Sequence, residues 1–153
     1  MKLYRVSRGS AGDILVCVLE GRSLLHAKLE DGYRLPHVVV NSTGFETGYG
    51  GSGPADLALA ILIDHFAEPP TARRDLRLGP IPGADPQGRA YRLHQEFKWD
   101  VIAGQQLRPG EHYDIDTAFI EEWLGRKGKT SWSEAIAGGL ALVLALLPWM
   151  LVW

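Results

Sequence analysis

The chain has one cysteine among 153 residues, Cys17, so a disulfide framework and a multi-thiolate zinc site are both excluded within it. It also lacks any excess of one charge: 16 Lys and Arg stand against 18 Asp and Glu, a net charge of −2. The basic stretch 71–108 holds seven Lys and Arg against four acids, and 111–122 then brings five acids with no Lys or Arg. No clean basic face results, and nucleic acid is not expected as a partner. No His-Glu-x-x-His pair, nucleophile elbow or Asp-rich metal loop occurs, and His26, His37, His65, His94 and His112 are scattered. Asp64-His65 reads as the C-terminal turn of a helix whose dipole favours the histidine. Asp114 and Asp116 read as helix-capping carboxylates rather than metal ligands beside His112, and Cys17 as a buried apolar residue. No catalytic residue, metal or cofactor is therefore expected, and an enzyme is the weaker class.

The longest absence is of charge in Ala135–Trp153, AIAGGLALVLALLPWMLVW. Sixteen of its 19 residues are hydrophobic, against 54 of the other 134, so the 46% average mixes two materials. As a helix it would span roughly 28 Å, close to the ~30 Å hydrocarbon core. Arg126, Lys127 and Lys129 precede it, while Trp132 and the pair Trp149 and Trp153 mark its two boundaries. This predicts a single-pass C-terminal transmembrane helix in the inner (cytoplasmic) membrane, with the N-terminus in the cytoplasm. Met1–Arg5 lacks the apolar stretch of a signal peptide. Ser131, Ala135 and Gly139 form one small-residue stripe, and Ala137, Ala141 and Ala145 another. Two readings stand: the stripes pack a homo-oligomer, or they reflect ordinary membrane-helix composition. A rival for the whole segment is a C-terminal helix that serves as an oligomer interface of a soluble protein.

Residues 1–128 read as one α+β domain, with 129–153 as the anchor. Lys2–Ser7, Ile14–Leu19, Leu24–Leu29 and Leu35–Val40 are short apolar runs separated by turn compositions, and short connections imply antiparallel neighbours. Ala55–Phe66 is apolar nearly all round and predicts a buried central helix. Residues 68–88 contain five prolines and read as a long loop. Helical patterning resumes over Arg89–Ala103, with Ala90, Leu93, Phe97 and Val101 on one side. A last helix is expected after an Asp cap near Asp114, with Ile115, Ala118, Phe119 and Trp123 inward. The expected fold is a small antiparallel sheet packed with about three helices.

Gly44–Pro54, GFETGYGGSGP, runs into the buried helix, with Gly53 as its expected N-cap and Pro54 in its first turn. Helix N-termini with open N–H groups bind anions, so Tyr49, Gly50, Gly51, Ser52 and Gly53 are candidate ligand residues. Arg73, Arg74 and Arg77 are the candidate charge partners. The alternative is a purely structural turn that folds Phe45 and Tyr49 inward, with solvated loop arginines. Asp56, read in the first helical turn, already complements the dipole. Neither a P-loop nor a dinucleotide fingerprint is present.

The segment 44–62, GFETGYGGSGPADLALAIL, resembles the signature of a family of small bacterial and phage domains of unknown function. That family pairs the glycine turn with a downstream Phe-Lys helix, similar to Phe97-Lys98, and a short closing helix, here around Ile120–Leu124. Thr47 stands where the family usually carries tryptophan. The resemblance implies a domain carried by bacterial genomes and mobile elements, and it brings no activity, substrate or catalytic residue. The expected function is a tail-anchored cytosolic recognition domain. It would bind a small ligand, phosphate-bearing or nucleotide in character, or a partner protein, and relay that event to a membrane oligomer. A conflict-system effector would suit both halves. A structural interaction protein is the first alternative, a small enzyme the second.

Overall fold

The computed structural model describes residues 1–21, 32–37, 42–69, 71–75, 79–83 and 85–127, of which 71–75 and 79–83 are described by their backbone. The chain divides into two compact units, 1–117 and 118–153. The expected strand Leu24–Leu29 and the apolar segment 135–153 lie outside the described residues. Among the described residues, no helix is long and apolar enough to cross a membrane.

The first unit is built on a four-stranded antiparallel sheet. Strands β1 (Lys2–Arg8) and β2 (Ile14–Glu20) form the expected hairpin, and β3 (Tyr33–Arg34) pairs with β2. Of the expected strand Leu35–Val40, residues 35–37 are not strand and 38–40 lie outside the described residues. Leu35 still donates its N–H to Val16, but Pro36 has no N–H, and His37 is turned to a side-chain partner instead. The alternation of β1 and β2 puts Tyr4, Val6, Ile14, Val16 and Val18 on the buried face, where Tyr4 sits opposite Val18 and Val6 opposite Val16. Cys17 lies on the other face and is half-buried rather than a core residue.

Helix α1 (Ser52–Phe66) is the predicted central helix, and every residue from Gly53 to Ile63 is buried. Its C-terminus is fastened to the sheet by Asp64. That carboxylate accepts from Lys2 Nζ at 3.0 Å, Tyr4 Oη at 2.9 Å and Tyr33 Oη at 2.5 Å. Burial and the neighbouring Asp64 carboxylate push the Tyr33 phenol up to about 12, and the same two causes raise Tyr4 further. Burial opposes the Lys2 ammonium, but its bonds to Asp64 and Tyr33 raise it overall. Asp64 is thus a tie between helix and sheet.

Two further expectations are corrected here. The supposed loop 68–88 contains a hairpin, β4 (Thr71–Asp75) against β5 (Gly79–Gly83), in a separate two-stranded sheet. The supposed cap at Asp114 is the middle of a strand, β6 (His112–Asp116), which pairs antiparallel with β1. The alternation in HYDID places Ile115 opposite Tyr4 in the core, while Asp114 forms a bidentate pair with Arg5 at 2.8 and 2.7 Å. That pair holds the Arg5 guanidinium above its ordinary value against the cost of burial.

Between these lie α2 (Arg89–Phe97) and a π-helical turn (Lys98–Ile102), where a continuous helix to Ala103 is expected. Ala90, His94, Phe97, Lys98, Val101 and Ile102 are buried, and Leu93 is only half so. Helix α3 occupies 117–127 and buries Ile120 and Trp123, whereas Ala118 and Phe119 are exposed. Of the expected inward set Ile115 and Trp123 are buried, while a helix starting two residues later than one capped at Asp114 turns Ala118 and Phe119 outward.

Candidate functional site

The glycine turn and the first turn of α1 enclose a pocket of about 370 Å³. Ser42, Thr43, Glu46, Tyr49, Ser52 and Gly53 supply its polar wall, with Gly44 and Phe45 completing it. Helix α1 starts at Ser52 after Gly51, whose side makes no capping bond. Two consequences follow for the expected geometry. Gly53 is inside the first turn rather than the N-cap, and Asp56 falls in the second turn. With Pro54 third, the peptide N–H groups of the first turn without a helical partner are those of Ser52 and Gly53, which show no acceptor among the described residues and both line the pocket.

Asp56 does not serve the helix dipole from the surface. It is fully buried and its Oδ2 accepts from Ser42 Oγ at 2.6 Å, from the Ser42 N–H at 3.2 Å and lies 3.2 Å from His37 Nε2. The serine hydroxyl is bound to the carboxylate and to the Gly44 carbonyl, not to the imidazole, so the three residues are not arranged as a nucleophilic triad. Their work is to tie His37 and Ser42 to α1, with His37 edge-on to Phe45 at 4.9 Å. Glu46 crosses the turn and pairs with Arg8 at 2.7 Å, so its charge is compensated from the sheet. Thr47 is buried and its hydroxyl has no hydrogen-bond partner among the described residues.

The turn docks on the π-helical segment. Gly48 has φ +84°, open to glycine above all, and its N–H reaches the Ile102 carbonyl at 3.4 Å. Lys98 is buried beneath, donating to the Gly50 carbonyl at 3.1 Å and to Gln95 Oε1 at 2.8 Å, with its ammonium 4.4 Å from the centre of the Trp99 ring. Gln95 in turn offers its amide N–H to His94 Nε2 at 2.8 Å, while His94 Nδ1 donates to the Tyr91 carbonyl. This chain requires a neutral His94, and burial lowers its affinity for a second proton. The sequence offered Phe97-Lys98 only through the family resemblance; the buried amine on a glycine carbonyl had no local signature.

Of the candidate ligand residues, Tyr49, Ser52 and Gly53 line the pocket. Gly50 lies under Trp99 and Gly51 under the Tyr49 ring. Arg73 and Arg74 fall on β4, described by its backbone, and Arg77 lies outside the described residues. Among the described residues no group of three or more metal-ligating side chains converges. His112, Asp114 and Asp116 alternate along one strand.

Residues 4–77 match the sequence profile of a family of unknown function, DUF6166. The match takes in β1, β2, the glycine turn and α1, and stops short of Lys98 and Trp99. No curated protein and no solved structure matches the chain.

Proposed function

We propose that the chain is a recognition domain that takes a small phosphate-bearing ligand in the pocket at the start of α1 and is held at a membrane by 135–153. The pocket carries this reading: the first turn of α1, with no side-chain cap among the described residues, stands beside Thr43 and Ser52 in a cavity of ligand size. Asp56 lies in the second turn, fully buried, with its carboxylate on Ser42 and beside His37. The membrane half rests on the uncharged 19-residue run and its tryptophan and basic borders. A bound ligand would change the state of a membrane oligomer, and the resemblance to bacterial and phage domains suits an effector in conflict between them.

Thermal unfolding of the full chain in detergent tests the pocket, with inorganic phosphate, pyrophosphate and a panel of phosphorylated metabolites. A saturable rise in Tm with at least one of them is expected. No shift with any would sink the ligand reading and leave a protein-binding scaffold. Release of the full chain from membranes by alkaline carbonate would separately remove the tether and favour an oligomer interface.

A further inference from the structure

The glycines of the turn are there for different reasons. Only Gly48 has a positive φ among those at 48, 50, 51 and 53; at the other three an added Cβ would meet a neighbouring side chain. A Cβ at Gly53 would strike the Glu46 Cβ at 2.6 Å, an ordinary close packing at the pocket wall. At Gly50 it would come within 2.0 Å of Trp99 Cη2, and at Gly51 within 2.1 Å of Tyr49 Cε2. The rings that use this space are not core residues. Trp99 is 62% exposed and Tyr49 51%.

Both rings lie directly on glycine backbone and leave much of their surface in solvent. Here two rings rest on consecutive residues, whose Cα atoms are about 3.8 Å apart. Trp99 is further restrained by the Lys98 ammonium against its ring, and that ammonium is itself pinned to Gly50 and Gln95. Tyr49 also lines the pocket, so one of the two rings borders the polar cavity directly. Large aromatic surfaces held in solvent beside a polar pocket are suited to a ligand with a planar ring at one end and polar groups at the other.

We propose that Tyr49 and Trp99 seat a nucleobase, and that the ligand is a nucleoside phosphate whose polar end enters the pocket. This rests on the reading of that pocket as a ligand site. A sugar phosphate without a base would leave both rings unused.

The test is calorimetric titration of the full chain in detergent with AMP, GMP, CMP and UMP, beside ribose 5-phosphate and inorganic phosphate. At least one nucleotide is expected to bind about tenfold more tightly than ribose 5-phosphate. Tyr49→Leu and Trp99→Leu should each weaken that nucleotide about fivefold or more, and Trp99→Leu, which lies outside the pocket wall, should leave ribose 5-phosphate unchanged, while Trp99→Phe keeps the ring and most of the affinity. Both side chains are exposed, and unchanged far-UV circular dichroism confirms that each variant is folded. Equal affinity for ribose 5-phosphate, wild-type nucleotide affinity in both leucine variants, or no nucleotide binding overturns the nucleobase seat. In these cases binding of ribose 5-phosphate or phosphate keeps the pocket, and binding of neither removes both readings.

Discussion

Helices α1 and α2 both begin after a glycine, Gly51 and Gly88, and neither has a capping bond from that residue. Their ends are treated oppositely. At α2 the Glu68 carboxylate, 21 residues upstream, accepts from the Arg89 N–H at 2.7 Å and the Ala90 N–H at 3.2 Å. That supplies both an acceptor and a negative charge to the dipole. At α1 the nearest carboxylates are diverted: Asp56 to His37 and Ser42, Glu46 to Arg8. One N-terminus is closed by the protein's own anion, and the other opens on a cavity. Capping by a distant carboxylate is thus available to this fold, and among the described residues none is seen at α1, where the pocket lies.

The largest effect should come from the diverted carboxylate. Asp56→Ala removes the acceptor of the Ser42 hydroxyl, the Ser42 N–H and His37 in a fully buried position, and is expected to cost about 3–5 kcal/mol. Urea unfolding of the full chain reads this, and a loss below that of Glu68→Ala would break the account of Asp56 as the clamp on the turn. Glu68→Ala itself should cost about 1–2 kcal/mol, as the loss of a helix cap does. Ser52→Ala, at the equivalent end of α1, should leave the urea midpoint close to wild type; an equal loss there would mean that α1 is capped after all.

The smallest effect concerns pH. Burial lowers His94 from its ordinary 6.5, so the unfolded chain binds its proton first. The stability that His94 contributes is complete above about pH 6.5 and is lost as pH falls towards its folded value. Protonation would also set two N–H groups, of His94 and Gln95, against each other and loosen Lys98 from the turn. Replacing His94 by Gln should flatten the decline of Tm between pH 7 and 5. An unchanged slope would show that other groups govern it.

The legible parts were those written in local periodicity. The β1–β2 hairpin follows from alternation over KLYRVSR and ILVCVLE, and α1 from an apolar run too long for a strand. β6 was missed because HYDID sits beside a genuine helix start, and its aspartates resemble caps. Only a distant Arg5 shows that Asp114 is a strand residue. The hairpin in 71–83 was hidden by its prolines, which an isolated two-stranded ribbon tolerates. For the site, the glycine turn was visible, but the diversion of Asp56 and the seating of Trp99 depend on contacts across 14 and 49 residues. No window of sequence reports those.

The place of β1 between β2 and β6 also bears on how the chain is made. Its hairpin can close once residue 20 has emerged, yet its second partner arrives 109 residues after Arg5. Until then one edge of β1 offers unpaired peptide groups beside an apolar face. Translation that stalls before residue 116 would therefore release a sticky half-sheet rather than a shortened working domain.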